Sequence, residues 1–369
     1  MLCGCSRVSM HLWDHHHHHD ATVGLGLGFC GAKIVQFSPF GLRPHPTLAN
    51  ADSGHSLPDQ MVSSSGSHCK IPSENPVLHD CFSQREDDSG LQVEGLSPVA
   101  GGIVALGKFD ALHIGHRELV IQASRIGTPY LLSFVGMAEV LGWEPRVPIV
   151  AKCDRKRVLS SWASYCGNIT PVEFQIEFSS VRHLSPREFV EKLTSELGVC
   201  GVVAGENYRF GYRASGDTAE LVRLCGEYGI GAYVINSVMD KNQYSRGSET
   251  EDREDRGQVS STRVRHALAL GDMEYVTELL GRPHRLISRV GTRDLSSDGM
   301  ISVPRSSLLN LPPRNGVYEG CSVLVSGKIP VSCSVVIDTY GVRVETEEPP
   351  CLWNSDAAQE FQLLGIEFG

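Results

Sequence analysis

The chain has 369 residues, enough for two ordinary domains, and 41% of them are hydrophobic, which suffices for packed cores. Its formal net charge of −10 argues against a nucleic-acid partner, and no apolar run approaches the ~20 residues that a membrane span needs. The 12 cysteines are scattered without a C-x-x-C pair. This excludes zinc spacing and a small disulfide scaffold, and it indicates reduced thiols in an intracellular-type chain.

The first 92 residues differ in character from the rest of the chain. Prolines and serines interrupt every apolar patch, so no hydrophobic period is sustained and a disordered leader is predicted over 1–92. High serine content and few basic residues fit an organelle transit peptide, although acidic residues balance the basic ones before Ser73, which a transit peptide disfavours. The run His15–His19 is interpreted as a chance tract rather than a metal site or a tag.

From Val99 onward, apolar runs bounded by glycine or proline alternate with helical patterns. The helix with the clearest signals begins at Ser185, with Pro186 at the first helical position, Glu188 three residues after the serine, and Gly198 at its end. Strands are predicted at 103–108, 129–134, 199–205 and 230–235, and helices at 115–127, 151–167, 185–198 and 217–229. This alternation predicts an α/β fold with a doubly wound parallel sheet, which binds ligands beyond the carboxyl ends of its strands.

The first strand leads into the segment "GKFDALHIGHREL", which contains His113 and His116 one helical turn apart. Backbone N–H groups at a helix start attract anions, and Gly115 has no Cβ to keep a phosphate away from the backbone. An isolated H-x-x-H pair is more often structural, with both rings hydrogen-bonded to neighbouring backbone. Here, the position after a strand and the intervening glycine favour a phosphate-binding role.

A second segment, "QVSSTRVRHAL", complements the histidine pair. Hydroxyls at a helix start can contact phosphate, and Arg265 adds charge one turn later; the other interpretation of Ser260–Thr262 is a plain N-cap. The His-Ile-Gly-His tetrad resembles the one shared by class I aminoacyl-tRNA synthetases and small-substrate nucleotidyltransferases. A lysine-rich K-M-S-K-S-type loop, a tRNA-binding domain and a basic charge balance are missing, which favours the nucleotidyltransferases.

Four ordered motifs narrow the resemblance. "GKFDALHIGH", "GENYRFGYRASGD", "SSTRVR" and "GDMEYVTELLGRPH" resemble, in that order, the adenylyltransferase module of bacterial-type FAD synthetases, and the whole is similar to a plant plastid branch of that family. Departures are Ala111 in place of a glycine, Asn207-Tyr208 in place of Asp-Phe, and "SFVGMAEVLGWEP" in place of a Phe-Pro-His-Pro segment. The resemblance implies a chloroplast location and a nucleotidyltransferase domain over 99–283, and it predicts that the span 101–283 folds and works alone.

By that resemblance, the reaction joins FMN and ATP to give FAD and diphosphate. The FMN phosphate, with a second pKa of about 6, is already mostly dianionic at neutral pH, so no general base is needed and the protein must align it and neutralise charge. The residues expected to act in catalysis are His113, His116 and Arg265. Those expected to bind nucleotide are Gly107, Phe109, Gly115, Asn207, Arg209, Ser260, Ser261 and Thr262.

Magnesium is the expected cation, bridging the phosphates with few protein ligands. Asp110 either contacts this metal or caps the loop. Residues 240–258 are charged and aperiodic and are interpreted as a surface loop or a lid. In "NYRFG", Asn207 is expected to contact the nucleotide or the flavin phosphate, with help from Arg209; the other interpretation is a strand-to-turn segment whose aromatic side chains fill the core.

After Pro283 the chain consists of short β-type runs with glycine turns, which predicts a small barrel-like antiparallel domain over 284–369. Bacterial FAD synthetases carry a riboflavin kinase barrel here, with a Gly-Phe-Pro-Thr-Ala-Asn segment before Gly-Val-Tyr. This chain keeps "NGVYEG" but has "DGMISVPRSSLLNLPPR" upstream, so a shortened barrel without kinase activity is expected. Two alternatives remain: an adenylyltransferase for another small phosphorylated substrate, and a non-catalytic flavin- or nucleotide-binding protein.

Overall fold

The computed structural model describes residues 97–241, 257–291, 294, 300–325, 330–346 and 362–369. These residues all fall within one unit of the chain. The predicted leader and its histidine tract lie outside the described residues, as does the part of the predicted 240–258 loop from 242 to 256. Within the described ranges, no helix has both the length and the apolar content to cross a bilayer.

The N-terminal part is built on a five-stranded sheet in the order β3-β2-β1-β4-β5, with every neighbouring pair parallel. Its strands are β1 Ile103–Leu106, β2 Pro129–Val135, β3 Val172–Glu177, β4 Gly201–Gly205 and β5 Gly231–Ile235. Alternate residues of β1 enter different apolar clusters, Ile103 and Ala105 on one face and Val104 and Leu106 on the other. Both faces of the sheet are therefore covered, and the predicted doubly wound α/β fold is confirmed.

Helices cover the sheet and frame its carboxyl edge. They are α1 Ile114–Ser124, α2 Met137–Leu141, α3 Arg155–Ser161, α4 Phe178–Val181, α5 Pro186–Glu191, α6 Thr218–Glu227, α7 Ser261–Leu270 and α8 Met273–Leu280. The predicted cap of α5 is present, because the Ser185 side chain accepts from the Glu188 backbone while the Glu188 carboxylate accepts from Ser185. A π-turn at Lys192–Glu196 continues that helix.

The sequence patterns missed or misplaced several elements. The edge strand β3, with the sequence VEFQIE, was not predicted, since two glutamates in six residues are unfavourable for a strand. The predicted helix 151–167 is divided into a 3₁₀ turn at Lys152–Asp154, α3, and a second 3₁₀ turn at Ala163–Tyr165. Strand β1 ends at Leu106 rather than at 108, which leaves Gly107 and Lys108 in the loop.

The C-terminal part is a six-stranded antiparallel sheet in the order β6-β11-β8-β9-β10-β7. Its strands are β6 His284–Val290, β7 Ile301–Pro304, β8 Gly316–Val325, β9 Val331–Ile337, β10 Gly341–Thr346 and β11 Gln362–Phe368. The last strand, which was not predicted, pairs with both β6 and β8. The predicted small antiparallel domain is thus confirmed, and its C-terminal strand is one of its central strands.

The two sheets share their interior. One apolar cluster contains buried residues of the parallel sheet, such as Ala105, and of the antiparallel sheet, such as Val323. The backbone N–H groups of Leu311 and Arg314 donate to the carbonyls of Pro148 and Leu268, at 2.8 and 2.9 Å. The domain boundary proposed between 283 and 284 lies between α8 and β6, at a junction where the two parts are tightly packed.

Candidate active site

The two histidines lie at the start of α1, directly beyond the carboxyl end of the central strand β1. His113 is the N-cap, and its Nδ1 accepts from the backbone N–H of His116 at 3.3 Å. The two rings stack with 3.6 Å between their centroids. The ring of Phe109 meets that of His116 edge-on, with 5.0 Å between the ring centroids. The predicted loop residue Phe109 therefore packs against the histidine pair. Packing therefore fixes both rings.

Burial determines the charge of these histidines. They are 6% and 8% exposed, respectively. Burial, with the positive charge of Arg282, lowers the pKa of His113 to about 4. Burial, followed by the charges of His113 and Arg155, lowers the pKa of His116 well below its usual value. Both imidazoles are therefore neutral at pH 7 in the absence of an anion, and each offers one N–H donor.

The Nδ1 atom of His116 is buried and has no hydrogen-bond partner within the part of the chain that the structure describes. Such an atom is uncommon, because an unpaired buried polar group costs free energy. A phosphate oxygen at this position would supply the missing partner. This observation favours a ligand-binding role for the histidine pair over a purely structural one.

The glycines of the loop make room for the rings. A Cβ on Gly115 would lie 3.1 Å from two atoms of the His113 ring, and a Cβ on Gly107 would lie 3.1 Å from the Phe109 ring. The predicted importance of Gly115 therefore has an additional reason, since the glycine lets the His113 ring fold back over the helix start. The same Cβ would be 3.8 Å from the carbonyl oxygen of Val259, which precedes α7.

The second motif thus lies beside the first. Ser260 caps α7, and its Oγ accepts from the backbone N–H of Arg263 at 3.2 Å, which leaves Ser261 and Thr262 in the first turn of the helix. Arg265 donates from Nη2 to Asp110 Oδ2 at 2.7 Å and from Nη1 to the carbonyl of Val147 at 2.9 Å. Asp110 therefore anchors the predicted phosphate-binding arginine to the loop 107–113, which carries His113 and is called the histidine loop below.

The "NYRFG" residues are divided between the edge of the site and the core. Asn207, just after β4, donates from Nδ2 to Ser237 Oγ at 3.3 Å and to Gln258 Oε1 at 3.5 Å, which places it next to the serine motif. Phe210 is buried against Phe189 in the core. Arg209 forms an ion pair with Asp217, the N-cap of α6, at 3.6 Å. The proposed contact of Arg209 with nucleotide would require it to leave this partner.

Sequence reasoning did not identify the arginines beneath the loop. Arg282, after α8, donates to the carbonyls of Ala111 and Leu112. Arg155 makes a two-point ion pair with Glu173, which also accepts from the Ser133 hydroxyl. No local pattern marks these residues, because their partners are distant in the sequence.

This fold and the adjacent starts of two helices beyond the carboxyl edge of a parallel sheet are typical of nucleotidyltransferases, the class to which the chain belongs. A helix start presents backbone N–H groups and the positive end of a dipole. Polyphosphates bind at such places in α/β sheets.

Comparison with known proteins specifies the family. A family model described as FAD synthetase matches residues 98–249, and one described as FAD synthetase 1/2, C-terminal domain, matches residues 283–369. The chain is 68% identical to FAD synthetase 2, chloroplastic, and 66% identical to FAD synthetase 1, chloroplastic, both from Arabidopsis thaliana. Each alignment covers 100% of this chain and 100% of the relative. The chain belongs to the FAD synthetase family, and the predicted resemblance is confirmed.

More distant relatives agree with this assignment. A bifunctional riboflavin kinase/FMN adenylyltransferase of Listeria monocytogenes is 29% identical, over 72% of this chain and 87% of the relative. A crystal structure of a macrolide-efflux protein from Streptococcus pneumoniae superposes with a TM-score of 0.54 at 20% identity, over 74% of this chain and 94% of that one, which bears on the fold alone. The chloroplastic names of the two plant relatives confirm the predicted plastid location.

Proposed function

We propose that this chain transfers the adenylyl group of ATP to FMN, giving FAD and diphosphate, and that it does not phosphorylate riboflavin. The observation that carries the proposal is the buried Nδ1 of His116, which has no hydrogen-bond partner among the described residues. The plant relatives, named FAD synthetases, support FMN as the substrate.

Each group at the site has a role in this transfer. The FMN phosphate, with a second pKa of about 6, attacks the α-phosphorus of ATP without a general base. His113 and His116, at the start of α1, would donate to the oxygens of the α-phosphate, on which charge develops. Ser261, Thr262 and Arg265, at the start of α7, would hold the departing diphosphate. Gly107, Phe109 and Gly115 shape the loop around the nucleotide.

Magnesium fits this donor set as a phosphate-bound ion. Within the described residues, no three His, Cys, Asp or Glu side chains are grouped so that they could hold a metal. Asp110 is the carboxylate of the histidine loop, and it is paired with Arg265. Mg²⁺ usually keeps several waters and binds through substrate phosphates and one or two carboxylates. Bound in that way, it would neutralise charge on the leaving diphosphate.

The proposed absence of kinase activity is supported by Asn310, which lies upstream of the segment Asn315-Gly-Val-Tyr. It is 0% exposed. Its Oδ1 accepts from Ile287 N, and its Nδ2 donates to the carbonyls of Ile149 and Arg285, at 2.8, 2.9 and 2.9 Å, respectively. An amide whose hydrogen bonds join β6 to the backbone at Ile149 is not free to bind magnesium-ATP. The tail acids Asp356 and Glu360 lie outside the described residues.

The reaction can be tested directly by chromatography. The purified full-length chain with magnesium and ATP is expected to convert FMN to FAD with release of diphosphate, and riboflavin is expected to remain unchanged. Parallel reactions with phosphopantetheine and nicotinate mononucleotide examine the alternative substrates. FMN formation from riboflavin at a rate comparable to FAD formation would refute the proposed absence of kinase activity. Adenylylation of another substrate in preference to FMN would refute the proposal that FMN is the substrate.

Replacement of Arg265 tests the proposed phosphate contacts. Arg265→Met removes a guanidinium that lies between the two motifs, so turnover should fall about 10- to 100-fold and the KM for ATP should rise, because a charge-assisted phosphate contact is lost. Arg265→Lys keeps the charge but not the two-point geometry, so its turnover and its KM for ATP should lie between those of the unchanged chain and of Arg265→Met. Steady-state kinetics with varied ATP at saturating FMN measure both constants. Unchanged constants in Arg265→Met would show that this arginine serves only its pair with Asp110.

A further inference from the structure

The segment between α8 and β6 contacts the histidine loop at both of its ends. Arg282 donates from Nη1 to the carbonyl of Leu112 at 2.6 Å and from Nη2 to the carbonyl of Ala111 at 3.0 Å. The preceding residue, Gly281, has φ +68°, and a Cβ there would lie 2.7 Å from a methyl carbon of Ile114, the first residue of α1. Two consecutive residues therefore flank the backbone that carries His113.

The loop requires such support because of its backbone conformation. Leu112 is fully buried and has φ +49°, in the left-handed region that residues with a Cβ rarely adopt. A conformation of this kind persists only where the surroundings fix it. His113 follows directly, and the position of its ring depends on the direction in which the chain leaves Leu112.

Arg282 differs from the other arginines at this junction in its partners. Within the described part of the chain, all of its hydrogen bonds go to backbone carbonyls, including that of Leu280 at 3.2 Å. The neighbouring Arg285 pairs with Glu367 at 2.6 Å, and Arg157 pairs with Asp154 at 2.6 Å. A partly buried guanidinium with no carboxylate among its hydrogen-bond partners is costly to keep. Its rigid planar donors match two successive carbonyls of a turn, which a single-point cation would not do.

We propose that Arg282 is a positioning residue for adenylyl transfer, which holds the Ala111–Leu112 backbone so that His113 and His116 meet the α-phosphate. The proposal rests on the proposed function, and it gives a role to the "LLGRPH" motif at the end of α8. Arg282 does not touch substrate in this account. Its effect passes through the two carbonyls, so its loss should affect turnover more than substrate affinity.

The test compares Arg282→Met with Arg285→Met in the full chain. Both variants remove a guanidinium from the same junction, but Arg285 does not contact the histidine loop in its described bonds. Arg282→Met should lower kcat about 10- to 100-fold with KM for ATP and FMN changed less than about threefold, as displacement of a catalytic group does. Arg285→Met should keep kcat within about threefold of the unchanged chain's value, measured at a temperature below the melting transitions of both variants. Arg282→Lys, which can satisfy one carbonyl, should recover part of the loss.

Hydrogen exchange provides a measurement that does not depend on activity. Amides of the segment 109–117 should exchange at least about tenfold faster in Arg282→Met than in the unchanged chain, and at an unaltered rate in Arg285→Met, because only the former frees the loop. Equal losses of kcat in both variants, or equal exchange in all three proteins, would overturn the positioning role. If the unchanged chain makes no FAD, the proposed function fails and the exchange result alone decides whether Arg282 holds the loop.

Discussion

Replacing His116 with alanine is expected to lower turnover in FAD formation by about 10²- to 10³-fold, the loss that follows removal of a positioned donor to developing charge. The ring presents a buried Nδ1 without a partner and is fixed by stacking on His113 and by the edge of Phe109. Steady-state kinetics at saturating ATP and FMN give the turnover. Circular dichroism shows whether the variant retains its secondary structure.

Variants of two other histidines complete this experiment. His113→Ala removes both the ring and the cap of α1, whereas His113→Asn restores a good N-cap without the ring. Both should lose turnover by about 10²-fold or more, and His113→Asn should be the more stable by about 1 kcal/mol. His266, exposed on α7, is the matched control, and His266→Ala should be unaffected. Near-normal turnover in His116→Ala would show that the histidine pair has only a structural role.

Removal of the C-terminal domain is expected to abolish the folded enzyme. A chain that stops after Pro283 loses the strands that complete the shared apolar cluster, and side chains such as Leu279 and Leu280, which are packed in that cluster, become exposed. Burial of apolar surface supplies most of the free energy of folding, so a deficit of several such residues exceeds the ~5–15 kcal/mol by which domains are stable. The shortened chain should show no cooperative thermal transition and should elute as aggregate in size-exclusion chromatography.

A deletion at the other end of the chain is the control. Removing residues 1–96 leaves all described elements in place and should retain FAD formation. A milder change at the junction, Asn310→Ala, leaves the Ile287 N–H and two carbonyls without their described partner and should destabilise the full chain by about 1–3 kcal/mol. Folded, active protein from residues 97–283 alone would support the independence that the four motifs indicated, and would show that the shared cluster is dispensable.

The sequence patterns succeeded where the physical cause is local. The serine-to-glutamate cap of α5 and the apolar run of β1 each depend on neighbours within a few residues, so both could be predicted. The same holds for the placement of His113 and His116 at a helix start, since a strand followed by a glycine-containing helix start is readable in one segment. Membership of the FAD synthetase family also followed from short motifs in a fixed order.

The tertiary structure decided what depends on groups distant in the sequence. Asp110 pairs with Arg265 across 155 residues, and Arg282 reaches the carbonyl of Leu112 across 170. No periodicity or cap signal encodes such a contact, because it exists only when separately specified elements pack together.

The same reason explains the role of the antiparallel domain. From its sequence, the segment 284–369 was interpreted as a shortened kinase barrel, and its contribution to the other domain was not apparent. In the structure, β11 lies between β6 and β8, and Asn310 joins β6 to the backbone at Ile149 of the N-terminal part. The sequence by itself thus determined the family, the parallel sheet and the placement of His113 and His116 at a helix start. Only the folded chain determined the neutral state of the buried histidines and the arginines that support them, because burial and long-range charge arise from packing.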